Sequence, residues 1–133
     1  MFMSTVLVVD DDASTRVVLR LVLETAGHEV VEAEHGEAAL AHFFLNRPDI
    51  VMTDLTMPVL GGEALIQRLR SEPTTASSPI VVVSGNPAAA RALHSSGLVE
   101  AFVNKPFHPA ELAECIRALI AKMAAVPPEA LAG

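Results

Sequence analysis

One cysteine, Cys115, occurs in 133 residues, which excludes an intrachain disulfide and a thiolate-rich zinc site. Basic clusters are missing as well. The net charge is −7 and the pI near 5.1, so direct nucleic-acid binding is not expected. Long apolar runs are also absent. Composition is 51% hydrophobic with mean hydropathy +0.43, yet no stretch approaches the roughly 18 uncharged apolar residues of a membrane span. The apolar excess therefore belongs to a core, and no membrane partner is expected. The first residues, Met-Phe-Met-Ser-Thr, show no basic flank or cleavage site, so no secretory signal is read and a cytoplasmic address is expected. No glycine-rich loop follows the first apolar run, which weighs against a nucleotide-binding domain.

What the chain does have is a series of short apolar runs that end in polar groups. Val6-Leu7-Val8-Val9 ends in Asp10-Asp11, and Ile50-Val51-Met52-Thr53 ends in Asp54. Ile80-Val81-Val82-Val83 ends in Ser84, and Ala101-Phe102-Val103-Asn104 ends in Lys105. Runs that are apolar at every position and rich in β-branched residues suit strands buried on both faces of a parallel sheet. Parallel strands end on one edge, so three acids, a hydroxyl and an amine gather there, where open α/β sheets bind ligands.

Between the runs lie amphipathic segments. Strands are expected at 6–9, 29–33, 50–53, 80–83 and 101–104, with helices at about 14–26, 37–45, 63–70, 87–96 and 109–124. The result is an α/β (βα)5 pattern in one domain over 1–124, followed by a flexible tail at 125–133. Gly27 serves as a stop after the first helix, and Pro87 and Pro109 suit first-turn positions.

Taken singly, each polar residue has an ordinary role. Asp11 or Asp12 can cap the first helix, Asp54 can end a strand in a turn, Lys105 can be a solvated charge and Phe102 a core aromatic. His28, His35 and His42 recur evenly but fall on a turn, a loop and a helix, so they are not expected to converge on a metal. His94 and His108 read as surface residues, and Cys115 as a small buried hydrophobe.

Taken together, the residues resemble a response-regulator receiver domain from Val6 to Met123. The likeness rests on Asp10-Asp11, Asp54 with Met57-Pro58, Ser84-Gly85, Phe102 and Lys105-Pro106-Phe107. The Ser84 to Lys105 interval is about one residue short of the family's, a deficit expected in the fourth helix or the loop before it. The resemblance implies a flavodoxin-like, doubly wound parallel sheet with strand order 2-1-3-4-5. That order makes the first and third strands neighbours and puts Lys105 within reach of both.

The resemblance also assigns roles. Asp54 is the phosphorylation site, taking a phosphoryl group from the phosphohistidine of a histidine kinase or a histidine phosphotransfer protein. Asp10, Asp11, Asp54 and the backbone carbonyl of Thr56 bind Mg²⁺, with Mn²⁺ as a substitute. Ser84 and Lys105 contact the phosphoryl oxygens, Ser84 and Phe102 form the switch, and Thr56 and Asn86 tune dephosphorylation. Pro106 is the cis-proline candidate. Phosphorylation shifts the surface of helix four, strand five and helix five toward an unknown downstream protein. Kinase docking is expected around Ser14, Thr15, Val18, Pro106 and Phe107, with the protein a monomer or weak dimer that catalyses only its own phosphorylation and dephosphorylation.

Glycine at Gly61, where aspartate is frequent, is expected to cap the third helix with little loss. A phosphatase of the haloacid dehalogenase type also uses an aspartyl nucleophile and Mg²⁺, but it needs a second aspartate where Thr56 stands, and 133 residues leave no cap domain. A degenerate docking receiver is opposed by the intact acids, Ser84 and Lys105. The motifs around Asp54 and Lys105 resemble receivers attached to hybrid histidine kinases, whereas Met1 and the short tail suit a free-standing chain.

Overall fold

A computed structural model describes residues 4–124; the expected tail at 125–133 lies outside the described residues. Strands and helices alternate as β1 (Thr5–Val9), α1 (Ala13–Thr25), β2 (Glu29–Ala33), α2 (Gly36–Asn46), β3 (Ile50–Thr53), α3 (Gly62–Ser71), β4 (Ile80–Ser84), α4 (Pro87–Ser95), β5 (Ala101–Asn104) and α5 (Pro109–Ala124). Their ends differ from the expected ones by no more than a residue. The sheet is parallel throughout, in the order β2-β1-β3-β4-β5. No helix among the described residues is long and apolar enough to cross a membrane.

Strand periodicity divides the core into two layers. Leu7, Val9, Val51, Ile80 and Val82 face one side, where Phe43 of α2 and Leu65, Ile66 and Leu69 of α3 cover them. Val6, Val8, Ile50, Met52, Val81 and Val83 face the other, against Leu19 and Leu23 of α1 and Leu112, Ile116 and Leu119 of α5. Fully burying such a side chain contributes about 1.5–3 kcal/mol, so both layers hold the sheet and neither face is left wet.

Helix ends follow local chemistry. Asp12 caps α1, its side chain accepting the Ser14 N–H at 3.3 Å and the Thr15 hydroxyl at 2.6 Å. The helix stops where Gly27 takes φ 95° and the His28 N–H returns to the Leu23 carbonyl at 3.0 Å. Gly61 caps α3 with no side-chain bond. Arg70 ties the far edge together, donating to the carbonyls of Ala76, Ser78 and Leu98 and pairing with Glu100 at 3.0 Å.

Candidate functional site

The register places the carboxylates side by side. Val9 pairs with Thr53 across β1 and β3, so the residues that follow, Asp10 and Asp54, leave the sheet at the same level. The Asp54 N–H donates to the Val9 carbonyl at 2.9 Å, and the Asp10 N–H to the Ala33 carbonyl at 3.1 Å. One oxygen each from Asp10, Asp11 and Asp54 lies within 4.8 Å of the others. This is the only such group of potential metal ligands among the described residues.

Each acid sits in a different environment. Asp10 is buried, its Oδ1 accepting the Asp12 N–H at 2.9 Å. Asp54 is half-buried, and its Oδ1 accepts the Leu55 N–H at 2.7 Å. Asp11 is exposed. Because Asp12 takes the cap of α1, Asp11 is free to face the cleft. Hydrogen bonding from Thr15 holds the Asp12 carboxyl below its ordinary value.

Lys105 closes the group. Its Nζ lies 2.8 Å from Asp10 Oδ2 and 3.2 Å from Asp54 Oδ2, bridging β5 to β1 and β3. Burial alone would lower the ammonium's pKa, but the hydrogen bond and charge of Asp10, with those of Asp54, outweigh it and hold the pKa above its usual value. The Lys105 N–H donates to the Ser84 carbonyl at 2.9 Å, which couples the ends of β4 and β5. The peptide bond from Lys105 to Pro106 is cis.

The Ser84 side chain is buried, and its Oγ accepts the Asn86 N–H at 3.1 Å, leaving its own proton available to another acceptor. Asn86 caps α4 through Oδ1, which accepts the Ala89 N–H at 3.1 Å. Thr56 is exposed two residues past Asp54. Gly62 is required beneath the site, because a Cβ there would run into the Asp54 carbonyl.

Phe102 is half-buried against the core layer covered by α2 and α3. Its ring meets His94 of α4 edge-on, with centroids 5.5 Å apart and planes at 60°. Sequence reasoning missed this pair, since His94 carries no local signal and only the adjacency of α4 and β5 brings it to Phe102. The other histidines do not converge. His28 accepts the Ser4 N–H at 3.3 Å, His35 caps α2 through the Ala38 N–H at 3.1 Å, and His42 meets Asn46 at 3.4 Å. Burial raises the Cys115 thiol pKa, with the charge of Glu111 adding to it, as suits an unreactive thiol.

Beside the cleft, Ser14, Thr15, Val18, Lys105, Pro106 and Phe107 line one groove of about 300 Å³. Val17, Val18 and Leu21 leave large apolar area exposed along α1.

A family model described as "Response regulator receiver domain" matches residues 6–117. The chain is 39% identical over 116 residues to a probable transcriptional regulator, ycf27, of Cyanophora paradoxa, covering 86% of this chain and 47% of that protein. It is 30% identical over 117 residues to the phosphate regulon transcriptional regulatory protein PhoB of Pseudomonas aeruginosa, covering 87% and 51%. The chain thus spans about half the length of these curated relatives. Among solved structures, the chemotaxis response regulator CheY4 of Vibrio cholerae superimposes with a TM-score of 0.80 at 28% identity, covering 88% of this chain and 98% of that one.

Proposed function

Because this chain belongs to the response regulator receiver family, we propose that it is a phosphoacceptor in two-component signalling and that Asp54 is the residue phosphorylated. One observation carries this reading: Lys105 Nζ contacts both Asp10 and Asp54 in a cleft where three carboxylates converge. An ordinary surface lysine has no need of two acids on two other strands.

The nucleophile is an Asp54 carboxylate oxygen. It attacks the phosphorus of a phosphohistidine on a kinase or phosphotransfer protein; the O–P bond forms as the P–N bond breaks, the electron pair goes to the ring nitrogen, and the imidazole, already carrying a proton on its other nitrogen, leaves neutral. Three acids repel one another and the incoming phosphoryl group, so the site needs positive charge. Asp10, Asp11 and Asp54, which converge, would hold the ion together with the Thr56 carbonyl, an all-oxygen donor set of the kind that suits Mg²⁺, or Mn²⁺ in its place. Bound there, the ion would neutralise the carboxylates and the phosphoryl oxygens together.

Lys105 supplies the second cation. Already held above its ordinary pKa, it stays charged and can exchange Asp54 for a phosphoryl oxygen while keeping Asp10. The Ser84 hydroxyl can turn its free proton to another phosphoryl oxygen, drawing in the β4 end. That movement would change the packing of Phe102, which has no hydroxyl and so signals through contact with His94 and the core. Thr56 and Asn86 would flank the path of the hydrolytic water and set the lifetime of the acyl phosphate. The output would pass from α4, β5 and α5 to another protein or to another part of a longer chain.

The test is intact-protein mass after incubation with acetyl phosphate, with and without Mg²⁺, for wild type and Asp54→Ala. A gain of one phosphoryl group that needs both Mg²⁺ and Asp54 is expected. No gain by a folded wild type, with acetyl phosphate or with a panel of phosphorylated kinase domains, would sink the reading.

A further inference from the structure

Asp10 stands where β1 leaves the sheet. The last rung of the ladder to β2 pairs Val9 with Ala33, so the Asp10 carbonyl lies beyond it. That carbonyl accepts Nη1 of Arg16 at 2.7 Å. The same guanidinium is anchored at its other end, where Arg16 Nε donates to Glu32 Oε1 of β2 at 3.0 Å. Its side chain is only 17% exposed, so the charge-assisted bond to the carbonyl is weakly screened.

Arg20, one turn further along α1, is a built-in contrast. It takes the other oxygen of Glu32 at 2.6 Å, and its remaining donors go to Glu24 and the Val30 carbonyl. Both arginines brace α1 against β2, but of the two only Arg16 also holds Asp10. A planar guanidinium with two fixed contacts sets the orientation of the peptide between Asp10 and Asp11. That peptide determines where the Asp11 carboxylate points.

We propose that Arg16 is a positioning residue for the acid cluster, holding the turn from Asp10 to Asp11 so that both carboxylates meet Asp54 at ligand spacing, an inference that rests on the phosphoacceptor reading through the metal it requires. Coulomb's law gives the opposite sign for a simple field effect. Deleting a cation beside three acids should tighten Mg²⁺ binding, whereas loss of positioning should weaken it.

The experiment is a titration of the whole chain with MgCl₂, followed by NMR amide shifts, for wild type, Arg16→Ala, Arg16→Lys and Arg20→Ala, with urea unfolding of each. Loss of an outer partner of a metal ligand typically weakens affinity about 10–100-fold, so R16A is expected to bind Mg²⁺ at least about tenfold more weakly. R16K keeps the charge without the fork and should recover only part of this. R20A should lose stability but bind Mg²⁺ like wild type. Should R16A fail to fold, R16K against R20A makes the same comparison. Binding by the Arg16 variants equal to or tighter than wild type overturns the inference, as does an equal loss in R20A. A wild type that binds Mg²⁺ yet accepts no phosphoryl group would overturn the phosphoacceptor reading alone, leaving the role of Arg16 at the metal ligands to be judged by the same titration. A wild type that binds no Mg²⁺ overturns both.

Discussion

Val59 turns the chain just after Pro58 with φ 68°, and the Leu60 N–H donates back to the Pro58 carbonyl at 2.8 Å. This closes a three-residue turn with positive φ at its centre, a rare and strained kind. A branched Cβ aggravates the strain, since L-residues at positive φ crowd their own carbonyl at a cost of about 1–2 kcal/mol. The side chain is 72% exposed, so burial offsets little of this. Asparagine keeps a Cβ but visits positive φ far more readily. Val59→Asn should therefore stabilise the domain by about 1 kcal/mol, the lower part of that strain. For a domain of this size the melting temperature should rise by roughly 3–5 °C. Val59→Gly relieves the strain completely but frees the unfolded chain, which returns about 0.4–1 kcal/mol, so it should fall between wild type and Val59→Asn. Val59→Ile branches in the same way and should match wild type. Urea unfolding by far-ultraviolet circular dichroism, with scanning calorimetry, gives the ranking. If Asn and Gly are both no more stable than valine at unchanged m-value, the strain argument is wrong.

Gly62→Ala should destabilise by about 1–3 kcal/mol, because its Cβ meets the Asp54 carbonyl and backbone must move; an unfolding midpoint equal to wild type would contradict that contact. Hydrogen bonding from Arg20, then Arg16, holds the Glu32 carboxyl below its ordinary 4.5, so its contribution is present above that value and lost as pH falls through the folded one. The stability advantage of wild type over Glu32→Gln should thus be full at pH 7 and shrink below about pH 4.5; an advantage that persists or grows on acidification, in urea midpoints, refutes it. His94→Ala removes an aromatic contact worth about 0.5–1.5 kcal/mol and should shift the Phe102 ring resonances. The same resonances unmoved would mean that the pair does not constrain Phe102.

Strands were legible because β1, β3 and β4 are apolar at nearly every position, a pattern few amphipathic helices share. Their order was not, since periodicity says which residues are buried but not which strand lies alongside; the order 2-1-3-4-5 came from resemblance. Asp10, Asp54 and Lys105 could be named because each directly follows a strand, and Asp11 because it adjoins Asp10. Whether Asp11 or Asp12 capped α1 depended on backbone angles at Asp12, which composition does not encode. His35 as a cap and Arg47 as a left-handed C-cap were invisible for a related reason, because both positions are usually filled by other residue types. The Arg16 and His94 contacts join separate elements and have no local trace.

The ion pair from Lys105 to Asp10 spans 95 residues of chain, and that to Asp54 spans 51. During translation at about 5–20 residues per second, Asp54 is made roughly 3–10 s before its lysine. Over that interval a nascent chain holds its acids without the cation that balances them, and β5 has not yet been added to the sheet. On the proposed mechanism a kinase meeting such a chain finds no working acceptor, so signalling draws only on chains in which β5 and Lys105 are already in place.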